Sequence, residues 1–250
     1  VHSKLQSCEW SGLDEQKAEI SASLAAGKPV ISPFNLKALS DSPEEQMQCA
    51  RIWTARECPP SAPLWRGEHY NHDRIRIAYV SADLNTSAVA TLMAGVFEAH
   101  DRGRFEAIAC SLGPATTTPM RTRLEAGFER FIDVSERSDQ DIARLIQSLE
   151  VDIAVDLMGY TGACRPRILA ARPAPVQVNF LGFPGTMGAS YMDYIVADRT
   201  VIPESQTSHY TEMVAYLPDC FLPSDASRRI SSKPLSRSGA GLPDKGFVFC

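Results

Sequence analysis

The chain has 250 residues, of which 44% are hydrophobic, 8% aromatic and 22% charged. That is enough to bury one large α/β core with a small appendage, and it lies outside the composition of disordered or membrane-embedded chains. A formal net charge of −5 without a basic block argues against nucleic acid as a partner, seven scattered cysteines with no C-x-x-C pair argue against a disulfide framework or a zinc site, and no apolar run nears the ~20 residues that span a bilayer.

Residues 1–60 read as a helical lead-in. Val1-His2-Ser3-Lys4 lacks the charged-then-apolar pattern of a signal peptide, so the expected compartment is cytoplasmic and reducing, with no membrane partner. Asp41-Ser42-Pro43-Glu44-Glu45 is a helix start, with a polar cap, a first-turn proline and acids facing the helix dipole, and Met47, Ala50 and Trp53 share one side of the helix it begins. Pro59, Pro60 and Pro63 then break the helix and mark a domain boundary before a second unit over 64–250.

Past the break the period changes. Ile75 to Val80 reads as a strand, and Val89, Leu92, Met93, Val96, Phe97 and His100 recur on one helical face, with His100 as a cation suited to the helix end. Phe105 to Ser111 reads as a strand, Met120 to Phe128 as a helix, and Phe131 to Val134 as a strand. Ser138 caps a helix through Ile142, Leu145, Ile146 and Leu149. Val151 to Leu157 is a buried strand, Arg167 to Ala171 a helix, and Val176 to Leu181 and Tyr194 to Ala197 are strands. Phe247-Val248-Phe249-Cys250 reads as a further buried strand, cut short, in a fragment of a longer protein.

Alternating strands and helices of these lengths predict a Rossmann-like, doubly wound parallel sheet, whose ligands bind beyond the carboxyl ends of the strands. The loop Ser81-Ala82-Asp83-Leu84-Asn85-Thr86-Ser87 enters a helix N-terminus but lacks the G-x-G-x-x-G glycines, so it either caps that helix or meets a sugar or anion, and it does not hold a dinucleotide. Asp156 closes a buried strand before Gly159-Tyr160-Thr161, as a ligand-side acid or a turn-forming one. Gly182 to Ser190 carries three glycines and a Pro-Gly turn, either a surface turn or a place where a partner approaches the backbone. His69 and His72 lack further ligands for a metal, and no G-x-S-x-G elbow is present.

Several segments together resemble one family. Arg74 to Asp83 (RIRIAYVSAD), Gly159-Tyr160-Thr161, Arg172 to Ala189 (RPAPVQVNFLGFPGTMGA), Tyr191 to Ile195 (YMDYI), and Leu217 to Asp225 are similar to the catalytic region of the protein O-GlcNAc transferases and their bacterial and SPINDLY-type relatives, over about Leu64 to Cys250. The resemblance implies the first lobe of a two-lobed GT-B glycosyltransferase, preceded by the end of a tetratricopeptide region and truncated before the second lobe. It implies inverting transfer of a sugar from a UDP-sugar to Ser or Thr hydroxyls of an acceptor protein, with the nucleotide held mainly by the second lobe. No cofactor or metal is expected, the UDP-sugar being a substrate.

On that resemblance the catalytic positions are Ser87 and Asn85, with Asp156 added from its place at the end of a buried strand, and the substrate-binding ones are Asp83, Gly159, Tyr160, Thr161, Pro184, Gly185, Thr186, Pro223 and Asp225. Relatives commonly carry histidine where Asn85 and Ser87 stand, the one at Ser87 being the more regular; a serine lacks the imidazole's capacity to take a proton near neutral pH. Ala115 to Thr118 replaces an Asp-Asp-Gly-like stretch, and Gly162-Ala163-Cys164 departs from the pattern after Gly-Tyr-Thr. A protein O-fucosyltransferase using GDP-fucose and a non-catalytic protein-binding relative are the alternatives; an oxidoreductase on a similar sheet is disfavoured by the glycine-poor first turn.

Overall fold

The computed structural model describes residues 2–227 and 232–249. The lead-in holds α1 (His2–Gln6), α2 (Leu13–Ala25), α3 (Pro33–Leu36) and α4 (Pro43–Glu57). Helix α4 starts where the sequence directs it: the Ser42 hydroxyl accepts the Glu45 N–H, Pro43 sits where its missing N–H costs nothing, and Glu44 and Glu45 face the positive end of the dipole. It ends at Cys58, before the proline break.

The second unit runs β1 (Ile75–Ser81), α5 (Ala88–Glu98), β2 (Phe105–Ser111), α6 (Pro119–Gly127), β3 (Arg130–Asp133), α7 (Asp139–Ser148), β4 (Ile153–Asp156), α8 (Arg167–Ala170), β5 (Val176–Asn179), β6 (Tyr194–Ala197) and β7 (Met213–Tyr216). The strands form one sheet in the order β3-β2-β1-β4-β5-β6-β7, every pair parallel. Alternate strand residues feed two cores. Ile77, Tyr79, Ala107, Ala109 and Val155 pack with Met93, Phe97 and Leu124 of α5 and α6. Ala78, Val80, Ile108, Cys110 and Ala154 pack with Ile142 and Ile146 of α7 and Ile168 of α8. Helices therefore cover both faces, as parallel strands with two apolar sides require.

Four details depart from the sequence reading. On α5 the fully buried stripe is Ala90, Met93, Ala94 and Phe97, with Val89, Leu92 and Val96 only half-buried, because the alanines let the helix lie close to the sheet. His100 is no helix-end cation: its Nε2 lies 2.8 Å from the Tyr79 hydroxyl, and burial, then the Arg102 charge, lowers its pKa. β7 follows a 3₁₀ segment, Glu204–His209, and its half-exposed four residues carry little periodicity to announce it. Phe247 and Phe249 are exposed and belong to no strand; Cys250 lies outside the described residues.

The lead-in is packed directly onto the lobe. Just past the lead-in, the N–H groups of Ser61 in the linker and of Leu64 and Trp65 at the start of the second unit donate to the carbonyls of Ala170, Ala171 and Arg172. Gly188 has φ +61°, and a Cβ there would lie 2.5 Å from the Ala50 carbonyl carbon and from the Arg51 nitrogen in α4. The glycine-rich loop thus allows a close backbone approach, and the partner is α4. Gly188→Ala is expected to lower stability by about 2 kcal/mol, from positive-φ strain and a forced shift of α4. Urea titration checks this, an unchanged midpoint at unchanged slope showing that α4 is not held by this contact.

Candidate functional site

Parallel pairing sets Val80 beside Asp156 and Asp156 beside Asn179, so the chain leaves β1, β4 and β5 at one edge of the sheet. The first loop is held there by its own polar groups. Ser87 is the N-cap of α5: its hydroxyl accepts the Ala90 N–H at 3.0 Å and donates its proton to the Asp83 carbonyl at 2.8 Å. Asn85 donates from Nδ2 to the Ala82 carbonyl, and Thr86 donates to the Thr118 hydroxyl, joining this loop to the next. Asp83 is half-buried, and that burial raises its carboxyl above the usual range.

Ser81 links this loop to the second one, its hydroxyl lying 3.2 Å from the Met158 sulfur. Asp156, 5% exposed, accepts the Met158 N–H at 2.8 Å; burial pushes its pKa up to about 6 against the opposing pull of the Met158 and Gly159 amides. Gly159 turns the chain at φ +55°, where a Cβ would lie 2.3 Å from the Phe183 Cβ. Thr161 is half-exposed, with its hydroxyl donating to the Met158 carbonyl at 2.7 Å.

Not every expected residue turns toward an open face. The Tyr160 hydroxyl is buried against α4, 2.7 Å from the Met187 carbonyl, with its ring edge-on to Phe183. Thr186 is buried too, and donates to Glu212 at 2.7 Å. Gly185 lies under the Lys37 side chain, while Pro184 is exposed. Asp225 lies away from the loops: Arg123 of α6 donates to both its oxygens, at 2.6 and 3.1 Å, and it packs on Gly95, two turns along α5 from Ser87. These charged hydrogen bonds hold the Asp225 carboxyl well below the usual range. Pro223 lies in the same return segment, half-buried.

Three supporting residues carry no sequence signal. Glu212, 4% exposed, accepts the Met187 N–H at 2.6 Å as well as the Thr186 hydroxyl, and burial raises its pKa. Asn179 donates to the Phe183 and Gly185 carbonyls, with Oδ1 buried and unpaired. Thr54, in the lead-in, bonds both Tyr160 and the Met187 carbonyl. Each acts on a loop distant in sequence, which periodicity and spacing do not register.

Among the described residues no group of three or more His, Cys, Asp or Glu side chains could hold a metal ion, and no helix is long and apolar enough to cross a membrane. A cavity of about 590 Å³ between the proline linker and α7 and α8, lined by Arg56, Leu64, Asp139 and Arg167 among others, contains none of the expected site residues. The carboxyl end of the sheet thus gathers hydroxyl, amide and carboxyl groups beside the positive end of α5.

The family model for glycosyl transferase family 41 matches residues 62–233. The chain belongs to this family. Over 97% of its length it is 32% identical to a probable UDP-N-acetylglucosamine--peptide N-acetylglucosaminyltransferase, SEC, of Arabidopsis thaliana, of which it spans 27%. It is 35% identical to the UDP-N-acetylglucosamine--peptide N-acetylglucosaminyltransferase of Caenorhabditis elegans over 64% of this chain and 14% of that one. A mutant O-GlcNAc transferase of Thermobaculum terrenum superposes with a TM-score of 0.70 at 30% identity, covering 84% of this chain and 42% of that one. The chain therefore spans about a quarter of the Arabidopsis relative's length. This family 41 lobe has a seven-stranded parallel sheet and carries Gly-Tyr-Thr and Pro-Gly-Thr loops, and its Ser87 caps α5.

Proposed function

We propose that this family 41 lobe serves a transferase that moves N-acetylglucosamine from a UDP-sugar to a Ser or Thr hydroxyl of an acceptor protein in the cytoplasm. A second lobe holds most of the nucleotide. The supporting observation is the convergence of Asp83, Asn85, Ser87, Asp156 and Thr161 around the carboxyl ends of β1 and β4, in a chain whose relatives bear that activity in their names. Those names favour UDP-N-acetylglucosamine over GDP-fucose. The reaction is a displacement at the anomeric carbon: the acceptor oxygen forms the new bond, the bond to the diphosphate breaks with its electron pair leaving on UDP, and the hydroxyl proton passes to a base. No enzyme nucleophile is needed, so positioning and charge stabilisation carry most of the rate.

Ser87 is poorly suited as that base: its proton is donated to the Asp83 carbonyl, one of its two lone pairs is taken by the Ala90 N–H, and a hydroxyl is a weak base without an activator. Asp156, with its pKa raised to about 6, is ionised at neutral pH and close to the operating range of a general base. Asp83, Thr161 and Pro184 are read as substrate contacts, and Gly159, Tyr160, Gly185 and Thr186 as the frame behind them. Pro223 and Asp225 are read as a brace on α5 and α6.

The test is incorporation of labelled sugar from UDP-N-acetylglucosamine and, separately, from GDP-fucose into acceptor protein by the full-length enzyme. Transfer from neither overturns the reading in favour of a protein-binding module, which the committed Ser87 hydroxyl would suit. The present chain alone is expected to bind UDP-sugars at best at millimolar strength, about −4 kcal/mol. Calorimetry showing micromolar affinity would place the nucleotide site in this lobe instead.

A further inference from the structure

The lead-in meets the two loops of the candidate site in a buried polar knot. Thr54, one turn before the end of α4, is 3% exposed. Its hydroxyl lies 2.7 Å from the Met187 carbonyl and shares a hydrogen bond with the Tyr160 hydroxyl. Tyr160 lies 2.7 Å from the same carbonyl and 3.8 Å from the Cys58 sulfur, while the Tyr191 hydroxyl donates to the Cys58 carbonyl at 3.2 Å. Two hydroxyl protons serve three contacts here, so one hydroxyl holds the carbonyl while receiving the other's proton. Neither can leave without exposing a buried polar group to an apolar wall.

The residues so held flank those proposed to face the substrate. Tyr160 stands between Gly159, pressed on Phe183, and Thr161; Met187 stands between Thr186 and Gly188, the latter under the backbone of α4. Fixing the Tyr160 ring and the Met187 carbonyl therefore fixes the peptide planes on either side. Glu212 and Thr186 support the second loop from within, but Thr54 is the contact that reaches both loops from a different segment.

Resting on the transferase reading above, we infer that Thr54 is a positioning residue for the reaction, acting through Tyr160 and Met187, so that the last helix of the lead-in is a working part of the site. The hydroxyl is the active element, and Thr54→Ser keeps it while Thr54→Val keeps only the shape.

In the full-length protein Thr54→Val is expected to lower kcat about 10-fold with donor and acceptor KM within about 2-fold, the pattern of an interaction that orients the reacting groups without binding them. Amide exchange at Thr161, Met187 and Gly188 should quicken by about 10-fold, with β2 amides such as Ala107 and Ala109 unchanged. Thr54→Ser should restore both readings. Unaltered exchange in Thr54→Val overturns the inference. So does fast local exchange with unaltered kcat, or a Thr54→Ser variant as impaired as Thr54→Val. If Thr54→Val loosens the whole sheet, Tyr160→Phe replaces it, keeping the ring on Phe183 while removing the hydroxyl, and the same three amides decide. A wild type that transfers no sugar defeats the transferase reading and the role in reaction with it, whereas failure of the exchange result alone defeats only the inference.

Discussion

Raising the pH from 4 to 7 is expected to cost the wild-type lobe about 2 kcal/mol of stability relative to Asp156→Asn, from a native pKa of about 6 against an unfolded one near ~3.9. The sign is set by the direction of the shift. Burial raises the Asp156 pKa, so the folded state favours the protonated acid. That contribution is fully present below about pH 4 and is lost as pH rises through about 6, where the native carboxyl must ionise inside the protein. Glu212 is displaced the same way by burial, and Asp225, Glu98 and Asp133 oppositely by their hydrogen bonds, so the difference between wild type and variant isolates Asp156. Urea titrations at pH 4, 5, 6 and 7 check it; a difference that does not change with pH would mean Asp156 ionises as an ordinary surface acid. If Asp156 is the base, sugar transfer by the full-length enzyme rises over the same interval in which stability falls, and that limb disappears in Asp156→Asn.

If the site lacks a working proton acceptor, Ser87→His is expected to raise sugar transfer by the full-length protein by ~10²–10⁴-fold, the usual worth of a positioned acid–base group; if Asp156 already fills that role, no such gain is expected. Ser87 is the N-cap of α5, at the carboxyl end of the sheet, a position where the family resemblance implies a histidine. Its present hydrogen bonds to Asp83 and Ala90 are those of a helix cap, so the substitution should cost about 1 kcal/mol of stability through the lost cap. Gain of activity and loss of stability in one variant would show that the position was surrendered from chemistry to capping. The measurement is labelled-sugar incorporation at equal folded concentration. No gain, in a variant that melts within a few degrees of wild type and still binds donor, removes proton transfer from this position and leaves it to Asp156.

The sheet was legible because its causes are local. Apolar runs such as Ile75 to Val80 and Phe105 to Ser111 have few alternatives to a buried parallel strand, and Ser42, Ser138 and the Pro59-Pro60 break announce helix ends by their own chemistry. The strand that escaped, β7, is four half-exposed residues whose pairing with β6 does the work that pattern does elsewhere.

The site was legible only as a set of loops. Sequence alone determined which segments come after strand ends, that the first turn lacks a dinucleotide glycine pattern, and that the motifs are those of one transferase family, because these depend on residue type and order. Tertiary structure decided what each side chain does. Ser87 caps and Asp225 braces α5 and α6, while Tyr160 and Thr186 face Thr54 and Glu212, partners 106 and 26 residues away. Whether a hydroxyl meets solvent or a buried carbonyl depends on which distant backbone arrives beside it. Gly188 permits α4 to arrive, and only the packed chain reveals that α4 is what it admits.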